Sequence, residues 1–237
     1  MWAFKELFFS IGRKWSYGSE LKMIMYHSLH TEGYGIRLRP VRMEDAAFIV
    51  WLRNQEHVKG KVGDSATDVA GQEAWLEAYF KREGDYYFIP ETPGGIPLGT
   101  TSIYDIHGTR GEKGRHIMRP EVMEVGVPAG MLATDLAFGK LGLHELYSTS
   151  VSTNLPVHSL HRKSGFKQVG IRRAAQFIGG EPVDLVEFIL KAEDWPRFRD
   201  RLSSLAHLAG TQALKWEKTQ VNKRQPWQEI QNEFVTR

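Results

Sequence analysis

Apolar and polar residues alternate first at 36–40, Ile-Arg-Leu-Arg-Pro, which predicts an opening strand. The next stretch places Ala46, Ile49 and Val50 at helical spacing with Phe48 beside them, and predicts a helix ending near Arg53 and Asn54. Residues 57–71 are rich in Gly, Asp, Ser and Lys and follow neither period, so an irregular loop is expected. Ala74, Leu76, Ala78, Tyr79 and Phe80 then populate a second helix, closed by Gly84. Strands follow at 86–90 and 97–106, joined by the turn Thr92-Pro93-Gly94-Gly95. A polar turn over 107–114 leads to a short fourth strand at 116–118, and 119–127 reads as a loop.

Pro128 suits a first helical turn, because its fixed φ fits there and its missing N–H is not needed. Leu132 and Leu136 carry that helix to Leu141, where Gly142 stops it. Residues 145–151 alternate as a strand. Asn154 stands as the N-cap of a further helix, with Val157 and Leu160 facing inward and Gly165 just past its end. Strands at 167–177 and 182–190 flank a Gly179-Gly180 turn, and a helix at 193–202 closes the pattern. Weak periodicity around Leu205, Leu208 and Leu214 predicts a helix packed at an edge or interface, then a disordered polar finish. Two antiparallel hairpins flanking a strand–helix–strand unit make a mixed α/β sheet, and no internal repeat is evident.

Composition narrows the chemistry. At 237 residues the chain can bury a real core, and one domain with extensions is the simplest count. There is no cysteine, which removes disulfides, thiolate zinc sites and a cysteine acyl-enzyme together, and fits a reducing cytoplasm. The net charge of +3 resides in the ends. Residues 1–35 carry four Lys/Arg against three acids and 203–237 carry five against three, while the stretch between balances. No basic stripe of nucleic-acid size is left, so no nucleic-acid partner is expected. No run reads as long and apolar enough to span a bilayer. The start, MWAFKELFFSIGRKW, is a poor secretory signal and reads as a docked or frayed extension rather than a membrane-surface helix.

Gly142-Leu143-His144 leading into Leu146-Tyr147, followed by Asn154, His161 and Gly165-Phe166, resembles the GCN5-related N-acetyltransferases, the GNAT superfamily. The likeness is to its branch of small-amine, sugar and ribosomal-protein acetyltransferases. The entry Leu38-Arg39-Pro40 with Asp45 resembles the same branch. The resemblance implies a mostly antiparallel mixed sheet flanked by helices over 36–202, with extensions at 1–35 and 203–237. It also implies a cytoplasmic acetyl-CoA-dependent enzyme that transfers directly to a small primary amine in a ternary complex. The strand YYFIP, the following GTTSIYDI and the end of the first helix resemble amino-sugar acetyltransferases. An amino sugar or nucleotide-linked amino sugar is therefore the expected acceptor. A ribosomal-protein N-terminus and a catalytically silent acyl-CoA-binding module are the alternatives, and a homodimer is one assembly open to it.

The site residues follow from the same resemblance. Family members carry Gln/Arg-x-x-Gly-x-Gly/Ala after the fourth strand, so that backbone N–H groups at a helix start hold the pyrophosphate. Here 119–126 lacks the glycine pair and contains Glu121 and Glu124. Met118, Gly126, Val127, Ala129 and Gly130 are the cofactor-binding candidates around that helix start. Asn154 has two readings, contact with the pantetheine arm or a helix cap. His161 stands where the family usually places a tyrosine that protonates the departing thiolate, and a histidine there is available near neutrality. His116, Glu121 and Glu124 are the candidate bases. Arg53, Asn54 and Lys59, with Lys61 nearby, are the acceptor-side candidates. His158 and His161 share a helix face, but no carboxylate completes a metal set, so no metal is expected.

Overall fold

The computed structural model describes residues 27–63 and 66–232. The reading of the N-terminal extension falls largely on 1–26, outside the described residues, as does the end of the polar finish, 233–237. The chain opens with β1 (Thr31–Gly33) and β2 (Ile36–Pro40), then α1 (Ala46–Arg53) and α2 (Val69–Tyr79). A meander follows: β3 (Tyr86–Glu91), β4 (Gly99–His107) and β5 (Arg110–Met118). Next come α3 (Gly126–Gly139), β6 (Glu145–Val151) and α4 (Leu155–Lys163). The hairpin β7 (Lys167–Ile178) and β8 (Glu181–Lys191) leads to α5 (Trp195–Thr219) and α6 (Trp227–Asn232). The strands form one sheet in the order β1-β2-β3-β4-β5-β6-β8-β7. Every neighbouring pair is antiparallel except β5 and β6. A parallel pair needs a crossover, and α3 supplies it.

Both faces of the sheet are covered. Tyr87 and Ile89 pack with α1, α2 and Trp227, while Phe88 between them packs with α3 and Ala213 of α5. This is why β3 is a continuous apolar run rather than an alternating one. The Leu-Arg-Pro entry has a structural basis. Arg39 Nη1 and Nη2 donate to the Asp45 carboxylate at 2.8 and 2.7 Å, and its Nε donates to Glu91 at 2.7 Å. Asp45 also accepts the Arg42 N–H, so one buried arginine shared by two carboxylates fastens β2 to β3 and to the entry of α1.

Six expectations need correction. The polar turn expected over 107–114 is only the tight turn at Gly108 and Thr109, and β5 begins at Arg110. Its charged residues hid it, because Lys113 and Arg115 bond to groups distant in sequence instead of alternating with an apolar face. Helix α2 starts at Val69, earlier than expected, because the Asp68 carboxylate caps it by accepting the Gly71 N–H at 2.7 Å. The loop after β5 is a 3-10 turn, Pro120–Val125, kinked at Val122.

The closing helix does not stop at Leu202 but runs to Thr219. Its inward face is Leu202, Ala206, Ala209, Gly210 and Ala213, whereas Leu205 and Leu208 face solvent. A Cβ on Gly210 would lie 1.5 Å from the Tyr34 carbonyl oxygen, so only glycine lets the helix backbone touch that turn. After it, Trp227 of α6 is buried against Phe48 and Trp51, with ring centroids 4.8 and 5.3 Å away, where a disordered finish was expected. Lastly, among the described residues one helical run, Pro120–Gly139, has the length and apolar content of a membrane-crossing helix. It is 67% buried in the protein, as a core helix is.

Trp227→Ala should lower the unfolding free energy by about 3 kcal/mol, the usual cost of truncating a buried tryptophan. Denaturant titration of the full chain measures it, and an unchanged midpoint would show that α6 adds nothing to the core.

Candidate functional site

β5 and β6 pair over only three residues, Arg110 with Glu145, Gly111 with Leu146 and Glu112 with Tyr147. Beyond that they part. β5 stays with β4 as far as Met118, and β6 stays with β8 as far as Val151. The backbone edges that face each other across the gap therefore have no strand partner among the described residues, and such groups seek one. The gap opens into a cavity of about 500 Å³. Its walls are the two strands, the first turn of α3 and one face of α4; across from them lie α1, α2 and the irregular stretch after α1.

His116 and His161 look into this cavity from β5 and α4. His116 Nε2 lies 3.0 Å from the Gly126 carbonyl oxygen, and Nδ1 lies 3.1 Å from Thr101 Oγ1. A carbonyl can only accept, so Nε2 carries the proton and Nδ1 accepts from the threonine. The same logic sets His161: Nδ1–H donates to the Val157 carbonyl at 2.9 Å and Nε2 accepts from the Ser148 hydroxyl at 2.8 Å. Burial, then the nearby Lys113 ammonium, push His116 down to about 3 and His161 down to about 4. Both imidazoles are thus neutral near pH 7, with each N–H spent on a backbone carbonyl.

Lys113 comes from β5 at the point where the strands part. Its ammonium donates to the Gly130 carbonyl at 2.9 Å and to Thr134 Oγ1 at 3.0 Å. No carboxylate among the described residues forms an ion pair with it, and burial brings its pKa down to about 8. Farther along β5, Arg115 has φ +48° beside an irregularity in the β4–β5 register. That backbone twist aims its guanidinium at the other half of the cavity. There it forks onto Asp85 at 2.5 and 2.9 Å and lies 4.2 Å from the Tyr104 ring centroid and 5.3 Å from those of Trp75 and Tyr87. Arg53, Lys61 and Arg82 complete the charged lining. No Asp or Glu is among the described lining residues.

The sequence-derived candidates divide. Arg53, His116 and His161 line the cavity, as do Gly126, Val127, Gly130 and Asn154. Asn154 occupies the N-cap position of α4, yet its side chain makes no cap bond and instead faces the cavity. The other six lie elsewhere, Glu124 among them on the exposed side of the 3-10 turn. Met118 and Ala129 are buried in the core beneath α3. Glu121 is tied to Arg119, 3.0 Å away, Asn54 donates to the Val50 carbonyl, and Lys59 pairs with Glu56 on the surface. Lys113, Arg115, Ser148 and Trp75 were missed; charges spaced along a stretch between two strands were the available signal for the first two.

The helix start was expected to offer free N–H groups. The Gly126 N–H instead bonds back to carbonyls of the 3-10 turn, and Pro128 has none. Gly126 and Gly130 allow α3 to close on β5: a Cβ on either would come within 3.2 Å of His116 Nε2 or Lys113 Nζ. An elongated anionic acyl donor such as acetyl-CoA fits the rest of the site. The gap has unpaired strand edges, the Asn154 side chain faces it, and every charged group on its described walls is basic. Among the described residues no cluster has a metal-ligand set.

A family model described as acetyltransferase (GNAT) domain matches residues 36–167. No curated protein matches the chain. Solved structures similar to it include a variant of the spermidine N-acetyltransferase SpeG from Vibrio cholerae. That match has 18% identity and a TM-score of 0.61, covering 69% of this chain and 97% of that one. FdhC, described as a nucleotide-linked sugar GNAT, matches at 23% identity and TM-score 0.61, over 76% of this chain and 98% of its own. Mycobacterium smegmatis RimJ, solved with CoA-disulfide, matches at 22% and 0.62, over 73% and 90%. At these identities the likenesses establish the fold.

The two depressed histidines make stability depend on acid. An unfolded histidine titrates near about 6.5, so below that the unfolded chain binds protons that the folded chain does not. Their contribution to stability is complete above about pH 6.5 and is lost as pH falls toward 4 and then 3. Denaturant midpoints measured between pH 7 and pH 4 should fall, and His161→Gln should flatten that fall. An equal slope in the variant would show that His161 is not held neutral.

Proposed function

The chain belongs to the GNAT acetyltransferase family, and from that premise we propose that it acetylates the primary amine of an anionic acceptor, a nucleotide-linked amino sugar, with acetyl-CoA as donor. The observation that carries this reading is the sign of the cavity: Arg53, Lys61, Arg82, Lys113 and Arg115 line it, with no acid among its described lining residues. A polyamine brought there would meet an excess of like charge, of which Asp85 neutralises Arg115, and that is costly at low local dielectric. A nucleoside diphosphate brings charge of the opposite sign for arginine to fork, and a base that can lie against the partly exposed Trp75.

Direct transfer in a ternary complex suits a chain without cysteine. The amine must arrive without its extra proton, because attack needs its lone pair. Neither imidazole has an uncommitted basic nitrogen, and burial holds the phenols of Tyr87 and Tyr104 above their ordinary value. The cations themselves do that work: an ammonium among them has its pKa lowered, so the acceptor is held as the free amine. Bound acetyl-CoA supplies the activated acyl group. Asn154 and the strand edges of β5 and β6 are the groups that would hold its arm, and α4 covers it from one side.

Acetyl-CoA should raise the melting temperature of the purified chain, since a ligand at 100 times its Kd adds about 2.7 kcal/mol. With acetyl-CoA present, a nucleoside-diphosphate amino sugar should release free thiol, whereas spermidine and a peptide with a free N-terminus should not. Turnover of spermidine or the peptide instead would overturn the acceptor assignment. Cofactor binding without turnover of any amine would favour a silent acyl-CoA-binding module. Arg82→Gln should raise the acceptor KM about tenfold, the worth of one charged hydrogen bond, with a smaller effect on kcat.

A further inference from the structure

The closed end of the gap between β5 and β6 lies at Glu112 and Tyr147, the last paired residues. Lys113 and Ser148 are the first residues past it, and both line the cavity. Whatever reaches the bottom of the gap meets these two side chains, with His116 and His161 beside them. Three of the four already have their protons committed. His116 Nε2–H goes to the Gly126 carbonyl, His161 Nδ1–H to the Val157 carbonyl and the Ser148 hydroxyl to His161 Nε2. The Lys113 ammonium has three N–H donors, and two go to Gly130 and Thr134. The third has no hydrogen-bond acceptor among the described residues, and the ammonium lies 5.6 Å from the Phe166 ring centroid.

We propose that Lys113 is the catalytic acid that protonates the sulfur as it leaves the acyl group. The proposal rests on the acetyl-CoA reading above and gives Lys113 the role that the resemblance had assigned to the position of His161. The geometry that carries it is a buried ammonium at the blind end of the slot, with an open N–H and no ion-pair partner among the described residues. Such a cation favours a developing thiolate and can also supply its proton. A pKa of about 8 lies close to that of an ordinary thiol, about 8.5, so the proton passes with little energetic mismatch. The charged and titratable groups facing Lys113 are His116 on its own strand, His161 on α4 and, farther off, Asp135 on α3. Asp135 is engaged by Arg199 and by the Trp195 Nε1–H.

The step balances within the site. The amine nitrogen forms its bond to the acyl carbon, and the carbon–sulfur bond breaks with its electron pair going to sulfur. Lys113 gives a proton to that sulfur, forming the thiol. The acylated nitrogen releases its surplus proton, which restores the ammonium, so the net transfer is one proton from nitrogen to sulfur.

Free CoA is the probe. Bound to the full chain, its thiol should titrate about one unit lower than in solution, a tenfold larger thiolate fraction at a given pH, read from thiolate ultraviolet absorbance. Lys113→Met should return the titration to that of free CoA while CoA still raises the melting temperature. Lys113→Arg keeps the charge but holds its proton too tightly, so the lowered thiol titration should persist while kcat falls at least about 100-fold. It also serves as the readout if the methionine variant does not fold. His161→Gln should leave the thiol titration unchanged. An unshifted thiol in the wild-type chain, an unchanged titration in Lys113→Met, full activity in Lys113→Arg, or loss of the shift in His161→Gln would each overturn the proposal and leave CoA binding standing. No melting-temperature rise with CoA in the wild-type chain would overturn the acetyl-CoA reading itself, and this inference with it.

Discussion

The parting of β5 and β6 after three paired residues governs the rest of the site. Parallel strands joined by a crossover helix lie in the interior of a sheet, and interior strands ordinarily satisfy both backbone edges. Here each strand keeps its outer neighbour and gives up its inner one. The outer pairings, β4 with β5 and β6 with β8, and the packing of α3 and α5 across the sheet hold the gap open. An open gap with unpaired backbone edges is a binding surface built from main chain, insensitive to which side chains surround it. Side chains then decide what else may enter.

They decide it mainly by charge. Five basic residues face one cavity, and the fold handles their repulsion differently in its two halves. Arg115 is neutralised by Asp85 and sandwiched among three aromatic rings, so it is a fixed structural cation as much as a contact. Lys113 has no such partner among the described residues, and the strain of leaving it charged appears as its lowered pKa and as the two neutral histidines beside it. Charge held against its own desolvation is a common mark of a working site.

The stretch where the chain departs from the family's phosphate motif is held by its C-terminal helices. Arg119, at the head of that stretch, is 1% exposed. Its guanidinium lies 4.2 Å from the Trp216 ring centroid, 5.2 Å from that of Trp227 and 5.3 Å from that of Trp51. It also donates to Glu121 and to Gln225, so one of the two acids in that stretch is already neutralised. The 3-10 turn that replaces the glycine-rich loop is thus braced from behind by α5 and α6.

Periodicity and turn chemistry were enough to place β2, β3, β6, the α3 crossover and the Asn154–Gly165 helix, because apolar runs and local turn residues mark those elements without help from distant parts of the chain. The same residues carried the family resemblance, and with it His161, His116 and Asn154. Local pattern failed where another part of the chain supplies the environment. β5 looked like a polar turn because its charged residues are satisfied by Asp85, Thr134 and the Gly130 carbonyl, all distant in sequence. The long C-terminal helix was read from its leucines, while beyond Leu202 alanines and a glycine make its buried face, and at Gly210 the Tyr34 backbone lies too close for any side chain. The sequence alone determined the order of elements and the kind of chemistry. Tertiary structure alone decided which protons are free, which charges are paired and which candidates meet, because those depend on groups brought within a few ångströms only by the closed fold.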